Sequence, residues 1–245
     1  MFGLLRALRR RRLLKRPFPA DWLPHLERGV PFFGELPDPL RVRFLDLLKI
    51  FVWEKHFIGA GGMEISDEVK VVIAATAVRL VMHLDLSYYD RLTEIVVYPG
   101  HFRRPDDDET VILGEAHAWG TVVLSWDAVV QGLANTRDGQ NTAMHEFAHV
   151  LDRADGAFDG TPELRSLSHY RPWAEVMSEH FVKLGKRRRA QRKALRSYGA
   201  QNEAEFFAVA TEAFFERPDR LRQHVPDLYQ ELCRFYGCDP LAGAD

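Results

Sequence analysis

Cysteine is scarce in this chain: Cys233 and Cys238 are the only two among 245 residues. Two thiols cannot build the disulfide framework of a small secreted domain. Four residues separate them and no other cysteine is present, so they also make a poor zinc knuckle. The shortage predicts a reduced protein that functions in the cytoplasm.

Long uninterrupted apolar runs are also missing. The most apolar window, residues 69–86, contains polar and charged side chains at Lys70, Arg79, His83 and Asp85. A membrane span needs about 20 predominantly apolar residues, so this window predicts a buried core helix instead. We therefore expect no transmembrane segment.

The N-terminal segment MFGLLRALRRRRLLKRPFP is basic and amphipathic. It is suited to contact an anionic membrane surface or to act as a targeting segment. Its apolar part is too short for a secretory signal, however, and no small-residue cleavage site follows. The simpler expectation is that residues 1–17 form a basic, flexible arm.

Internal repeats and Gly/Ser-rich linkers are absent, and the formal net charge is only -2. With 46% hydrophobic residues, the chain can bury one sizeable core. We expect a single domain, residues 1–245, in which a helical part (38–90) precedes a part (91–245) that carries the chemistry discussed below.

The apolar periodicity predicts an α+β fold that is mostly helical. Two short β-rich runs, residues 93–99 and 120–126, flank an acidic loop that contains Asp106, Asp107, Asp108 and Glu109. Helical patterns cover the remaining long segments: 38–57, 66–84, 139–153, 163–185, 201–216 and 225–236. A small sheet therefore precedes the helix that starts near residue 139.

That helix contains the sequence HEFAH, in which His145 and His149 are four residues apart and Glu146 follows the first histidine. On a helix, residues at i and i+4 lie on one face, so both imidazoles can bind one zinc ion. Zinc peptidases use this HExxH pattern, with the glutamate taking a proton from water that the metal activates. The alternative is a partly exposed helical histidine pair, but the apolar neighbours favour a buried metal site.

A catalytic zinc ion usually has a third protein ligand. The metzincin extension is excluded in its usual form, because Asp152 and Asp155 occupy the positions of its glycine and third histidine. Asp155 remains a minor candidate ligand. Asp152, about one turn past His149, is expected to accept a ring N–H from a ligand histidine.

A carboxylate from the later helix is the other candidate, and Glu205 and Glu212 lie along one side of it. Asn202 followed by Glu205 also fits a capping box, which would give Glu205 a purely structural role. That explanation leaves Glu212 without a function in a strongly apolar helix, where buried carboxylates are seldom unpaired. We therefore expect Glu212 to contact a ligand side chain rather than the metal ion itself.

Two sequence patterns carry a resemblance to known families. The segments HEFAHVLD and SYGAQNEAEFF resemble the catalytic domain of anthrax toxin lethal factor. The longer pattern, from HEFAHVLD through EAEFFAVATEAFF to LYQELCRFYGCDPL, resembles the Mlc titration factor A family of bacterial cytosolic peptidases and extends over most of the chain.

The second resemblance implies a gluzincin-like zinc peptidase with aminopeptidase-like activity on peptide or protein substrates. It implies one zinc ion per chain, bound by His145, His149 and Glu205, with Glu146 as the general base and Tyr198 near the reacting carbonyl. Gly199 would permit the turn that brings the phenol over the metal. Family members bind the glucose-responsive repressor Mlc, but no motif in this sequence transfers that partner.

Two other functions are alternatives to a peptidase. The basic run KRRRAQRKALRS, residues 186–197, is suited to phosphate contact, but it lacks interleaved aromatics and is more typical of a solvated face, so we expect no nucleic-acid partner. A regulatory binding protein that keeps a zinc site is the stronger rival. Glu146 favours the enzyme, because a structural zinc site needs no base beside the metal.

The run TVVLS, residues 121–125, suggests where a peptide substrate lies. We expect an edge strand beside the histidine helix, to which the substrate adds as a further strand.

Overall fold

The computed structural model describes residues 2–104, 107–112, 114–117 and 120–242, with side chains for 5–101, 114 and 120–242. Helices dominate the first part of the chain: α1 (Phe2–Leu14), α2 (Leu23–Gly29), α3 (Pro31–Glu35), α4 (Asp38–Glu54) and α5 (Asp67–Val81). The strands are β1 (His56–Gly59), β2 (Glu94–Tyr98), β3 (Phe102–Arg104), β4 (Asp107–Ile112), β5 (Gly114–His117) and β6 (Thr121–Ser125). The second part contains α6 (Trp126–Ala134), α7 (Thr142–Asp152), α8 (Leu167–Gly185), α9 (Arg189–Ala194), α10 (Glu203–Glu216), α11 (Pro218–His224) and α12 (Pro226–Tyr236).

The strands form a four-stranded sheet in the order β1-β2-β6-β5. The first three are parallel, and β5 is antiparallel to β6. Strands β3 and β4 pair separately as an antiparallel ribbon. This mostly helical arrangement with one small sheet confirms the predicted α+β class.

The prediction that residues 121–125 form an edge strand is wrong. Strand β6 lies between β2 and β5, so both of its edges are already hydrogen-bonded. Val122, Val123 and Leu124 are all buried, as expected for a strand covered on both faces. The edge strand beside α7 is β5.

Four of the described strands, β1, β3, β4 and β5, lie outside the two β-rich runs of the sequence. The helix expected over 38–57 ends at Glu54, because the backbone becomes extended at Lys55 and continues as β1. Lys55 is held there by a hydrogen bond from its ammonium group to the Leu92 carbonyl at 2.7 Å. In the expected acidic loop, Asp107, Asp108 and Glu109 belong to β4, while Asp106 lies outside the described residues.

Helix α5 forms the centre of the helical part, and residues 71–78 are all buried. It packs against α4 on one side and α7 on the other. Among the residues that the structure describes, no helix combines the length and the apolar character needed to cross a membrane.

Three aromatic rings join α4 to α7. The Phe51 ring contacts the rings of Tyr89 and Phe147 edge-on, with centroids 5.3 Å and 6.0 Å away. The Tyr89 hydroxyl donates to the Ala77 carbonyl on α5 at 2.8 Å. Because Phe147 lies between the two histidines in sequence, this cluster holds the opposite side of their helix in the core.

The basic N-terminal segment forms α1, which lies against α4. Arg10 donates to the Glu54 carboxylate at 2.9 Å and to Asp90, also at 2.9 Å. Farther along, the buried Lys49 ammonium donates to the Arg16 carbonyl at 2.8 Å. These contacts hold α1 and the residues that follow it against α4.

We expect Phe51→Ala to reduce the free energy of unfolding by about 3–5 kcal/mol, because it removes a completely buried ring that contacts two others. Urea denaturation measures the change. Val42→Ala on the same helix is the control: Val42 is 64% exposed, so its loss should cost less than about 0.5 kcal/mol. Equal effects of the two substitutions would contradict the packing described here.

Candidate metal centre

Helix α7 presents both histidines from one buried face. The helix begins at Thr142, where the Asn141 side chain caps it by accepting from the Met144 N–H at 3.0 Å. The His145 and His149 rings then stand edge-to-face with centroids 4.7 Å apart. The predicted i, i+4 pairing is therefore present.

Glu205 from α10 completes a group of three donors. The Nε2 atoms of the two histidines are 3.1 Å apart, and Glu205 Oε2 lies 2.9 Å from His145 Nε2 and 3.5 Å from His149 Nε2. Ligands about 2.0–2.2 Å from one metal ion at tetrahedral angles are roughly 3.3–3.5 Å from each other. The three donors are close to that spacing, and their chemistry suits one metal ion.

The capping and ligand explanations for Glu205 concern different atoms of the residue. Its backbone N–H donates to the Asn202 side chain at 2.9 Å, as a helix cap requires. Its carboxylate instead contacts the histidines. Burial would raise the pKa of this carboxyl, but hydrogen bonds to His145 and His149 lower it to about 2. The group is therefore an anion at neutral pH.

The other ring nitrogen of His145 is held by Glu212. Its Nδ1 lies 3.0 Å from Glu212 Oε2, and the Glu212 side chain is 1% exposed. The Asn141 backbone N–H donates to Glu212 Oε1 at 2.7 Å, and the Arg196 guanidinium donates to Oε2. Glu212 thus sets the orientation of His145, with Nε2 directed at Glu205.

The sequence does not single out Arg196, because it lies near the end of the basic run 186–197, which is typical of a solvated face. Its ion pair with Glu212 neutralises part of a buried negative charge. The signal in the sequence was indirect: a buried carboxylate such as Glu212 requires a cation, but spacing alone does not identify which one.

The surroundings of His145 favour the protonated, positively charged form of its imidazole. Burial alone would lower the pKa of its imidazole, yet hydrogen bonds to Glu205 and Glu212 raise it to about 10. In contrast, burial lowers the pKa of His149. Two carboxylates around one imidazole are an arrangement that a cation stabilises.

Glu146 is buried beside these donors, with 6% of its surface exposed. Strand β5 passes directly over it. A Cβ atom added at Gly114 would lie 2.7 Å from Glu146 Cγ and 2.8 Å from Thr142 Cγ2, so only glycine fits there. The residues around Gly114 give no sign of this role in the sequence, because the close approach arises between segments that are far apart in the chain.

The Tyr198 ring lies 5.8 Å from the His145 ring, measured between centroids, and the residue is 45% exposed. Burial and the nearby carboxylates of Glu205 and Glu146 raise the pKa of its phenol. Tyr198 therefore lies next to His145 on the solvent-exposed side of the three donor residues. It belongs to a 3-10 turn, Ser197–Ala200, that packs against α10.

Gly199 acts differently from what was expected. Its backbone φ is not positive, so the turn itself does not require glycine. Instead, a Cβ atom there would lie 3.2 Å from Val209 Cβ on α10. Close approach of two segments explains the glycine.

The structure places Asp152 and Asp155 away from the donors. Asp152 Oδ2 accepts from the Gly160 backbone N–H at 3.1 Å, and Oδ1 has no hydrogen-bond partner among the residues that the structure describes. His149 Nδ1 also has none, so the expected bond from a ring N–H to Asp152 is not formed. Asp155 is exposed and accepts from the Ala157 N–H at 2.8 Å, outside the group of three.

Asp152 instead anchors the loop that follows α7. The residue is fully buried, and burial raises the pKa of its carboxyl to about 7. Gly160 itself has φ of +76°, and a Cβ atom there would lie 2.4 Å from the Glu203 carbonyl oxygen, so glycine is needed where this loop meets the start of α10. The Asp152 hydrogen bond and the close contact with Glu203 together hold the loop that follows α7 against the start of α10.

Known proteins are similar to this chain over most of its length. An uncharacterized protein of Synechocystis sp. is 36% identical over 247 residues, which span 95% of this chain and 89% of the relative. Mlc titration factor A of Yersinia pestis and of Yersinia pseudotuberculosis are each 27% identical over 241 residues, spanning 91% of this chain and 86% of those proteins. The family model of the glucose-regulated metallo-peptidase M90 matches residues 5–237. This chain therefore belongs to the glucose-regulated metallo-peptidase M90 family.

Proposed function

We propose that this protein is a zinc-dependent peptidase of the gluzincin type, which hydrolyses peptide bonds with water and acts in an aminopeptidase-like manner. The observation that carries the proposal is the group formed by His145, His149 and Glu205, whose ligand atoms all lie within 4.8 Å of one another. Two imidazole nitrogens and one carboxylate are the ligand set of many catalytic zinc sites. The aminopeptidase-like character rests on the family resemblance.

When bound by these three residues, zinc supplies a Lewis acid that lowers the pKa of water and polarises the substrate carbonyl. Glu146 is proposed to accept the proton of the attacking water, because it directly follows His145, is buried, and is close enough for its charge to act on the His145 imidazole. Glu212 keeps the His145 ring in place through the 3.0 Å contact at Nδ1. Arg196 in turn pairs with Glu212.

Tyr198 is proposed to stabilise the oxyanion that develops on the carbonyl oxygen. Its ring borders the metal group, and its hydroxyl can donate a hydrogen bond that is stronger to an oxyanion than to a neutral carbonyl. The alternative is a packing role with the hydroxyl in water.

The substrate is proposed to pair with the outer edge of β5. This strand replaces β6 in the earlier prediction, since β6 has no free edge. Gly114 places the β5 backbone against Glu146, so a peptide that extends the sheet there passes beside the general base.

A regulatory role is the second candidate, and the names of the Yersinia relatives support it. We propose that this chain binds a transcriptional regulator similar to Mlc, in addition to peptide cleavage or instead of it. The two half-buried free thiols, Cys233 and Cys238, suit the reducing cytoplasm in which such a regulator works.

Metal content and peptide hydrolysis, measured on the same preparation, test the function. We expect about one zinc per chain, loss of hydrolysis with a chelator, and recovery when zinc is added back. A zinc-loaded protein that cleaves nothing in a broad peptide library would favour the regulatory role.

The third ligand is tested by paired substitutions. Glu205→Ala should lose most of the zinc, because it removes one of three donors, whereas Asp155→Ala should retain it, because Asp155 is exposed and outside the group. Metal analysis after dialysis measures both. The opposite pattern would mean that the wrong carboxylate has been assigned.

Glu146→Gln keeps the size of the side chain under Gly114 but cannot accept a proton. We expect nearly normal zinc content and a decrease in kcat of roughly 100- to 10,000-fold. Steady-state kinetics on the best peptide from the library checks this. Unchanged hydrolysis would remove Glu146 from the mechanism.

Tyr198→Phe removes the hydroxyl and keeps the ring, so it distinguishes a catalytic role of the hydroxyl from a packing role of the ring. We expect intact folding and zinc content, with kcat lower by roughly 10- to 1,000-fold and a smaller change in KM. Circular dichroism and metal analysis serve as the controls for structure. If kcat equals that of the unmodified enzyme, the packing role is correct.

A further inference from the structure

A cavity opens beside His149, at the end of α7. Its volume is about 210 Å³, and its apolar wall includes Val150 and Phe158. Two arginines, Arg91 and Arg153, also line it. The cavity therefore combines an apolar wall with two positive charges.

Phe158 connects this cavity to the proposed metal centre. Its ring lies 5.1 Å from the His149 ring, measured between centroids, and the residue is 43% exposed. Arg153 follows His149 by four residues and stacks on the same Phe158 ring, with its guanidinium carbon 3.9 Å from the ring centroid. A ligand group in the cavity is thus separated from the metal ligands by a single ring.

Both arginine positions are built into the fold. Arg153 begins the 3-10 turn Arg153–Asp155 that continues α7, and Gly156 then closes the turn with φ of +103°. Arg91 is fixed by its backbone: a Cβ atom added at Gly120 would lie 2.2 Å from the Arg91 carbonyl oxygen. Its guanidinium reaches Gly156, where an added Cβ would lie 3.0 Å from Arg91 Nη1.

Neither guanidinium is neutralised within the part of the chain that the structure describes. No carboxylate oxygen there lies within 4.0 Å of either one. The acidic residues of the same loop are engaged elsewhere: Asp155 accepts from the Ala157 N–H and Asp159 from the Thr161 N–H. Arg153 Nε is buried and has no hydrogen-bond partner in the described part of the chain. Two unpaired arginines around one cavity are suited to bind an anion.

We propose that the cavity formed by Arg91, Arg153 and Phe158 is a substrate subsite that binds a carboxylate of the peptide, so that peptides with a carboxylate close to the cleaved bond are preferred. The carboxylate belongs either to an acidic side chain or to the peptide C-terminus. Guanidinium groups bind it by charge-assisted hydrogen bonds, and the Phe158 ring covers the aliphatic part of the side chain. This inference rests on the proposed peptidase function, since it places the subsite beside the proposed metal centre.

Binding is measured separately from cleavage, by calorimetry on the zinc-loaded Glu146→Gln protein. The probes are hexa-alanine peptides in which one position at a time carries Glu or Gln, each prepared with a free and with an amidated C-terminus. At one position, we expect the Glu peptide to bind roughly 10- to 100-fold more tightly than the Gln peptide, the usual range for a hydrogen bond to a charged group. A preference for the free acid over the amide would instead identify the C-terminus as the source of the carboxylate.

The arginines are then replaced in the same background. Arg91→Gln together with Arg153→Gln should reduce the preference to less than about twofold. Arg91→Gln alone, at an exposed side chain, should reduce it in part without affecting the fold. The control is Arg171→Gln, which removes an exposed arginine on α8 that pairs with Glu175 and should leave the preference unchanged.

The outcomes separate the subsite from the catalytic function. Equal binding of all charged and neutral probes would overturn the subsite, as would a preference that persists in the double arginine variant. Hydrolysis by the unmodified enzyme without any carboxylate preference also overturns the subsite but leaves the peptidase intact. A preference that depends on the arginines, in a protein that hydrolyses nothing, would show a carboxylate-binding site in this cavity but contradict both the peptidase and the site's role as a substrate subsite.

Discussion

The contact of His145 with two carboxylates of α10 is the interaction on which the rest of the site depends. Glu205 lies at one ring nitrogen and Glu212 at the other, at 2.9 Å and 3.0 Å. Glu212 is buried and Glu205 partly buried on the same helix, so the two carboxylates would repel each other and lose hydration unless positive charge lies between them. The imidazole, the Arg196 guanidinium and the proposed metal ion supply it. This demand brings α7 and α10 together and determines the ring orientation.

The segments around this contact are held by backbone features more than by side chains. The Asn141 N–H binds Glu212 at the start of α7, and Asp152 binds the Gly160 N–H at its end. Gly114 and Gly199 allow β5 and the 3-10 turn of Tyr198 to approach closely. The donors therefore lie on two rigid helices, while loops and the edge strand supply the walls. Such a division is suited to keeping a metal site constant while substrate contacts vary.

The individual predictions succeeded where a property was local to one helix. The pairing of His145 with His149 follows from helical geometry, and the cap at Asn202 follows from its own hydrogen bond to Glu205. The errors concern contacts between distant segments. Asp152 was expected at a histidine because it is about one turn away, but the Gly160 N–H occupies its carboxylate. The strand at 121–125 was expected at an edge, although its three consecutive buried residues indicate a central position.

The sequence by itself determined the fold class, the helix that carries both histidines, and the family, because periodicity and spacing along one helix are local properties. It also identified Glu205 and Glu212 as carboxylates in need of a role. Only the tertiary structure decided what each one contacts, which arginine pairs with Glu212, and which strand lies at the edge. The physical reason is that a buried charge specifies that a partner must exist, while the packing of segments far apart in the chain decides which group is near enough to serve.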